Sequence, residues 1–147
     1  MRVYIKKTVV ESINNISMNV YPNEFIGLLS GKITEKNKKI KSIYINKLII
    51  PSGSTSGKGF ATFQIYRTPY NTIGTVHSHP NIPLPSFKDL NMFSYSGKVH
   101  IIVGKPYTFK NMKFYTNTGK NIANIYIVNN KKEVMKHEKR YEGSNVI

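Results

Sequence analysis

The 13-residue stretch HSHPNIPLPSFKD, from His77 to Asp89, constrains the backbone more than any other part of the chain. The run from Thr72 to His79 is rich in β-forming residues and predicts a strand. Three prolines follow within six residues, and proline cannot donate to a strand ladder or continue a helix. Ser86 with Asp89 three residues later is the pattern of a helix N-terminus. The stretch therefore predicts a strand, a rigid turn and a helix in immediate succession.

Hydrophobic spacing predicts the remaining elements. Apolar residues recur at gaps of three and four from Ile5 to Val20, which indicates one face of a helix ending before Pro22. The further predictions are a hairpin of strands 25–33 and 40–50, a loop over 51–59, strand-like runs over 59–67 and 72–79, a short helix over 86–95, a buried strand over 98–104, and a last hairpin of 113–118 with 121–128. This order predicts a single α/β (α+β) domain over residues 1–130, with helices packed on a mixed sheet, and a charged tail over 131–147 that is a short helix or disordered.

The composition excludes several classes of protein. None of the 147 residues is a cysteine, so disulfides and thiolate metal sites are excluded. No apolar run reaches the roughly 18 residues of a membrane span, and the first residues lack the pattern of a secretory signal. We therefore expect a cytoplasmic protein with no membrane partner.

The formal charge of +15 suggests an anionic partner. Only Arg2, Arg67 and Arg140 among the 22 basic residues are arginines, and arginine is the better bidentate reader of phosphate. Attraction of an acidic protein is at least as plausible as binding of nucleic acid, and a compositional bias toward lysine would explain the charge without any partner.

The two histidines of the stretch are candidates for a metal site. Side chains at i and i+2 on a strand point to the same face, so His77 and His79 stand close enough to share one ion. Zinc in hydrolases usually has three protein ligands, and Asp89, the only aspartate, is the obvious third. The six glutamates and two other histidines remain as alternatives, although His100, in the apolar run KVHIIVG, is better explained as a core residue. A structural role is also open for each part: a His pair on a strand is often structural, and Ser86 with Asp89 is an ordinary capping box.

Taken together, these residues resemble the JAMM (MPN+) metalloprotease family. GTVHSHPNIPLPSFKDL is similar to its signature of His-x-His-Pro, a short loop and Ser-x-x-Asp. YPNEFIGLLSG, over 21–31, is similar to the family's upstream segment Pro-x-Glu-x-x-Gly-x-Leu-x-Gly and places Glu24 in the matching position. The loop between His79 and Ser86 has six residues where the family usually has seven.

The resemblance implies a single MPN-type domain of cytidine-deaminase-like architecture in a stand-alone prokaryotic, archaeal protein. It implies one zinc ion bound by His77, His79 and Asp89. Glu24 would be a general base rather than a ligand, and Ser86 would stabilise the oxyanion.

The implied reaction is cleavage of a peptide or isopeptide bond after the C-terminal Gly-Gly of a ubiquitin-like or sulfur-carrier protein. A non-catalytic MPN scaffold and a zinc amidase acting on small molecules are the alternatives. The complete set of motif residues argues against the scaffold.

Overall fold

A computed structural model of the chain describes residues 1–51 and 71–144. The described part contains three α-helices and seven β-strands arranged in one mixed sheet. In chain order the elements are β1 (Arg2–Lys6), α1 (Lys7–Val20), β2 (Ile26–Lys36), β3 (Lys39–Ile49), β4 (Thr72–His79), α2 (Phe87–Phe93), β5 (Val99–Gly104), a 3₁₀ turn (Phe109–Asn111), β6 (Met112–Thr116), β7 (Ile125–Val128) and α3 (Lys131–Ser144).

The helices cover the two faces of the sheet unequally. The strand order is β6-β5-β4-β2-β3-β1-β7. Helix α1 packs on one face, where Val9, Val10 and Ile13 join the main core with Ile101 and alternate residues of the central strands. On the opposite face α2 packs near β5 through Phe93 and Ile102, whereas α3 packs near β1 and β7 through Val134 and Tyr4. None of the helices in the described part of the chain is long and apolar enough to cross a bilayer.

Strand β1 was missing from the expectations, because the predicted helix began at Ile5. The alternation of strand side chains explains the error. Val3 and Ile5 point into the core beneath α1, whereas Tyr4 between them packs under α3. Ile5 fits both the helical spacing and this alternation, so the pattern alone misplaced the helix start by two residues.

The predicted last hairpin forms only next to its turn, where Tyr115 and Asn121 make an isolated antiparallel bridge, and the predicted pairing of its two strands is wrong. Strands β6 and β7 form close to the expected positions, but they lie at opposite edges of the sheet. Strand β6 pairs antiparallel with β5, and β7 pairs parallel with β1. Tyr126 and Val128 of β7 complete the small core beneath α3, and this burial outweighs pairing with the nearest strand in the chain.

The other elements agree with the expectations. The β2–β3 hairpin, the short helix α2 and the buried strand β5 form where predicted, and α1 ends at Val20, before Pro22. The predicted tail forms a helix over Lys131–Ser144, the part of it that the structure describes. The predicted loop over 51–59 and strand-like run over 59–67 lie, apart from Pro51, outside the described residues.

A charged hydrogen-bond network holds α3 on the sheet. Arg2, which is 7% exposed, pairs with both carboxylate oxygens of Glu138, with a distance of 2.9 Å from Nη2 to Oε1. The hydroxyl of Tyr4, which is fully buried, donates to the same carboxylate and contacts Nδ1 of His137. Burial alone would raise the pKa of Glu138, but the hydrogen bonds from Arg2 and Tyr4 lower it overall. The carboxylate is therefore held ionised beneath the helix.

We expect Glu138→Ala to destabilise the protein by about 2 kcal/mol, because it leaves the Arg2 guanidinium and the Tyr4 hydroxyl without their acceptor. Urea unfolding monitored by circular dichroism measures the change. Glu142→Ala is the matched control, since Glu142 lies one turn further along α3 and forms an exposed ion pair with Lys41. Equal losses in the two variants would show that the network does not hold the helix.

Candidate metal centre

His77 and His79 point from the end of β4 to the face of the sheet that carries α2. Thr75, two residues before His77, contacts the ring of His100, which stacks on Phe93 of α2. The alternation of the strand then places both metal-site candidates on that side. Their Nε2 atoms lie 3.0 Å apart, and His77 is buried. The strand geometry therefore brings two imidazole donors to one point, as the spacing predicted.

Asp89 reaches the same point from the first turn of α2. Its backbone amide donates to the Ser86 hydroxyl at 3.2 Å, and its Oδ2 accepts from the Ser86 amide at 2.7 Å, which completes a capping box. The carboxylate also contacts both imidazoles, with Oδ1 3.1 Å from His77 Nε2 and Oδ2 3.2 Å from His79 Nε2. Capping and a place in the cluster therefore belong to the same side chain.

The three donor groups fit a tetrahedral metal ion. Ligand atoms about 2.0–2.1 Å from zinc at tetrahedral angles lie about 3.3 Å from one another. The two Nε2 atoms lie 3.0 Å apart, and each lies close to one Asp89 oxygen, at 3.1 Å from Oδ1 for His77 and 3.2 Å from Oδ2 for His79. One ligand atom from each of the three residues lies within 4.8 Å of the others. Within the described residues these three side chains are the group of histidine and acidic residues that can share an ion. Two neutral imidazoles and one carboxylate, without a thiolate, make a donor set that zinc accepts.

The electrostatics of the cluster favour a bound cation. Burial would raise the pKa of Asp89, but hydrogen bonds from His77 and His79 and from the Ser86 amide hold it well below its usual value. Burial would lower the pKa of His79, but the Asp89 carboxylate raises it overall. An ionised carboxylate thus sits buried between two imidazoles and stabilises positive charge there.

Glu24 lies beside the cluster, in the connection between α1 and β2. Two hydrogen bonds fix its neighbour Phe25 to the middle of the His-x-His segment: the Phe25 amide donates to the Ser78 hydroxyl at 3.0 Å, and the Ser78 amide donates to the Phe25 carbonyl at 3.1 Å. Glu24 is half-buried, and burial raises its pKa, opposed by the nearby His79 and His77. A carboxylate next to the donor triad, yet outside it, can exchange protons with a molecule held there.

The short proline-rich loop is held by the neighbouring strands β5 and β6. The Lys105 amide donates to the Asn81 carbonyl at 3.2 Å, and the Tyr115 hydroxyl donates to the Pro83 carbonyl at 2.8 Å. A side chain at Gly104 would meet the Asn81 carbonyl oxygen at 2.5 Å, so glycine permits the close approach. With these anchors, six loop residues suffice to carry Asp89 to the histidines.

A sequence profile described as "Prokaryotic homologs of the JAB domain" matches residues 6–118. The chain belongs to this family. A curated relative from Haloferax volcanii, named "Probable metalloprotease", is 41% identical over 96 residues, which is 62% of this chain and 58% of the relative. The JAB-family chain thus spans little more than half the length of that relative.

Solved structures show the same fold. One described as "JAMM: A Metalloprotease-like Zinc Site in the Proteasome and Signalosome" is 28% identical with a TM-score of 0.62, covering 87% of this chain and 99% of its own. A JAB1/MPN domain protein from Archaeoglobus fulgidus is 29% identical with a TM-score of 0.61, covering 86% and 98%. A protein from Desulfitobacterium hafniense, 14% identical with a TM-score of 0.62 over 89% and 96%, supports the fold alone. The expected MPN-type α/β domain is thereby confirmed.

The structure brings together the five residues that the resemblance assigned to the site of this JAB-family domain. His77, His79 and Asp89 converge, Ser86 caps the helix that carries Asp89, and Glu24 lies alongside. His100 is a fully buried residue of the core, as expected. Burial lowers the pKa of His100 to about 4, so its imidazole is neutral on β5, beside β4.

Two supporting residues were missed. Ser78 is fully buried, and the His-x-His motif assigns no role to this middle residue. Tyr107 donates a hydrogen bond to the His79 carbonyl at 3.2 Å and so fixes the end of β4. The sequence offered one signal for Ser78. The alternation of a strand sends the residue between the two histidines to the opposite face, where a hydroxyl group needs a partner.

We expect Ser78→Ala to destabilise the domain by about 1–3 kcal/mol, because the Phe25 amide loses its acceptor in a buried place. Urea unfolding measures the loss. Ser94→Ala, at the exposed end of α2, removes a hydroxyl that donates to the Asn91 carbonyl beside solvent, and should change stability little. A Ser78 variant as stable as wild type would show that this contact does not fix the segment before β2.

Proposed function

We propose that this protein is a zinc-dependent peptidase or isopeptidase that cleaves after the C-terminal Gly-Gly of a ubiquitin-like or sulfur-carrier protein. The observation that carries the proposal is the convergence of His77, His79 and Asp89 at 3.0–3.2 Å, with the Glu24 carboxylate beside them. The relative named a probable metalloprotease and the structure described by a metalloprotease-like zinc site support the class of reaction. The choice of a Gly-Gly substrate comes from the resemblance of the motifs.

His77, His79 and Asp89 would hold the zinc ion. When bound, zinc supplies a Lewis acid that makes water more acidic and polarises a carbonyl. The capping box keeps the Asp89 oxygens turned toward the imidazoles. The hydrogen bond from the Ser86 amide stabilises their negative charge. These hydrogen bonds within the protein orient the Asp89 carboxylate, which reduces the entropy cost of binding an ion.

Glu24 is assigned as the proton carrier. It would accept a proton from the attacking water and donate it to the leaving amine. Burial raises its pKa above the ordinary value, which brings it closer to neutrality and makes the carboxylate a better base. A carboxylate bound tightly to the ion would exchange protons poorly, so a position beside the ligands suits this role.

Ser86 is assigned to the oxyanion that forms as the carbonyl is attacked. Its hydroxyl oxygen accepts from the Asp89 amide, and among the hydrogen bonds of the described residues the hydroxyl donates to none. The hydroxyl hydrogen therefore remains able to donate to a substrate oxygen. Placement at the start of α2, in a fixed cap, holds that donor still.

The first prediction is that the purified wild-type protein binds about one zinc ion per chain, and that the His77→Ala/His79→Ala double variant binds almost none. Mass spectrometry of metal content after exposure to excess zinc and desalting measures this. His137→Ala is the control, because it removes a histidine of α3 that contacts Tyr4 rather than the cluster. A wild-type protein without zinc would refute the proposed chemistry and favour a partner-binding scaffold.

The second prediction separates the two acidic residues. Glu24→Gln should retain zinc and lose about 10²–10⁴-fold in kcat, because the general base is gone but the ligands remain. Asp89→Asn should lose zinc. The assay is release of lysine-linked cargo from a ubiquitin-like modifier joined through its Gly-Gly end, with the exposed Glu11→Gln as control. Undiminished cleavage by the Glu24 variant would remove the assigned base.

A further inference from the structure

An open concavity of about 490 Å³ lies on the sheet beside the start of α3. Four lysines line it, together with Tyr44 and two asparagines: Lys6, Lys32, Lys47 and Lys131. We refer to these four residues as the lysine pocket. Among the described residues, none that lines the concavity is acidic.

Strand geometry brings the lysines to one face. Side-chain alternation in β1 puts Lys6 on the same face as Tyr4, which packs under α3. Lys32 of β2 lies opposite Tyr44 of β3 in the ladder. The register shift after Ser30 leaves one extra residue on β3, and this bulge turns the strand so that Lys47 also lines the concavity.

None of the four ammonium groups forms an ion pair in the described part of the chain, whereas nearby Lys41 is paired with Glu142 and lies 4.0 Å from Glu138. Lys32 and Lys131 also border an adjoining cavity lined by Glu138 and Glu142, but these two carboxylates are paired with Arg2 and Lys41. Glu133, near the start of α3, accepts hydrogen bonds from the backbone and side chain of Asn129 and forms no ion pair with the four lysines. Four like charges around one concavity oppose folding, so their arrangement is better explained by an anionic ligand.

The lysine pocket shares a face of the sheet with the metal centre. His77 pairs with Ile26 at the start of β2, and Lys32 lies six residues further along the same strand. At about 3.3 Å per residue, this separation is about 20 Å. A small folded domain is about as wide as this distance. A protein substrate whose C-terminal tail lies at the metal centre can therefore place its folded domain against the lysines.

We propose that the lysine pocket docks an acidic surface of the protein substrate whose tail enters the metal centre. This inference rests on the proposed function and adds the charge of the substrate to it. Lysine ammonium groups on flexible stems suit dispersed carboxylates. Binding of single-stranded nucleic acid would call for aromatic platforms along a basic groove, and Tyr44 is the single aromatic residue here, half-buried against its neighbours.

The test compares two double variants with the same loss of charge. Lys32→Gln/Lys131→Gln removes half of the pocket's charge, and Lys113→Gln/Lys120→Gln removes exposed lysines near β6, at the opposite edge of the sheet. The probe is a fluorescently labelled oligoglutamate peptide, and fluorescence anisotropy at low ionic strength measures its affinity for the full chain. A labelled single-stranded oligonucleotide of the same length is measured in parallel. Thermal melting confirms that all variants are folded.

We expect the pocket variant to bind the peptide at least about fivefold more weakly, and the control variant to change by less than about twofold. Equal losses would show that net charge alone attracts the peptide and would overturn the proposal. Tighter binding of the oligonucleotide, lost in the pocket variant, would overturn it in favour of a nucleic-acid site.

Cleavage of an acidic modifier conjugate separates this inference from the proposed function. The pocket variant should raise KM about fivefold and leave kcat unchanged, since the lysines lie far from the reacting atoms. An unchanged KM would refute substrate docking although cleavage itself persists. The opposite result is also informative. If the wild-type protein cleaves no conjugate but binds the peptide through the pocket, the proposed hydrolase activity is refuted and a binding site for acidic proteins remains.

Discussion

The pair of hydrogen bonds between Phe25 and Ser78 is the contact on which the geometry of the candidate site depends. Strand β4 sends two imidazoles to one face and the Ser78 hydroxyl to the other. That hydroxyl and the Ser78 amide bind the backbone of Phe25, 53 residues earlier in the chain. Glu24 is therefore held next to the histidines by main-chain contacts, and its carboxylate stays outside the donor triad. The same strand thus supplies the two candidate ligands on one side and fixes the position of Glu24, the proposed proton carrier, from the other.

Asp89 links this strand to α2 through a second local constraint. A carboxylate at the third helical position serves as a cap in many helices and needs no metal to be explained. Here its two oxygens also reach His77 and His79, and both the histidines and the Ser86 amide lower its pKa. Capping holds the side chain in one orientation, and the imidazoles keep it ionised although it is buried. A cap that faced solvent would gain neither effect, so the burial of Asp89 lets one side chain cap the helix and contact both histidines.

The parts of the site that were predictable are those whose geometry is local. His77, His79, Ser86 and Asp89 fall within 13 residues, and strand alternation with helix capping places them almost unaided. Glu24 was found only through the resemblance of a second motif, because nothing near it in the chain reports the contact between Phe25 and Ser78. The same limit explains the errors in the fold. Ile5 satisfied two periodicities at once, and β7 pairs with β1, more than a hundred residues away, rather than with β6. Long-range pairing decided each case.

The basic residues that give the chain its high positive charge have different surroundings in the structure. A formal charge of +15 was compatible with nucleic acid, with an acidic protein and with simple compositional bias. The structure separates the basic residues by their surroundings. Arg2 is committed to Glu138 beneath α3, and Lys41 is paired with Glu142, so these charges serve the fold. Lys32 and Lys131 instead line a concavity on the face that carries His77 and His79, and neither forms an ion pair within the described residues. Bias toward lysine accounts for the number of such residues but gives no reason for four of them, unpaired, to meet beside one another on that face.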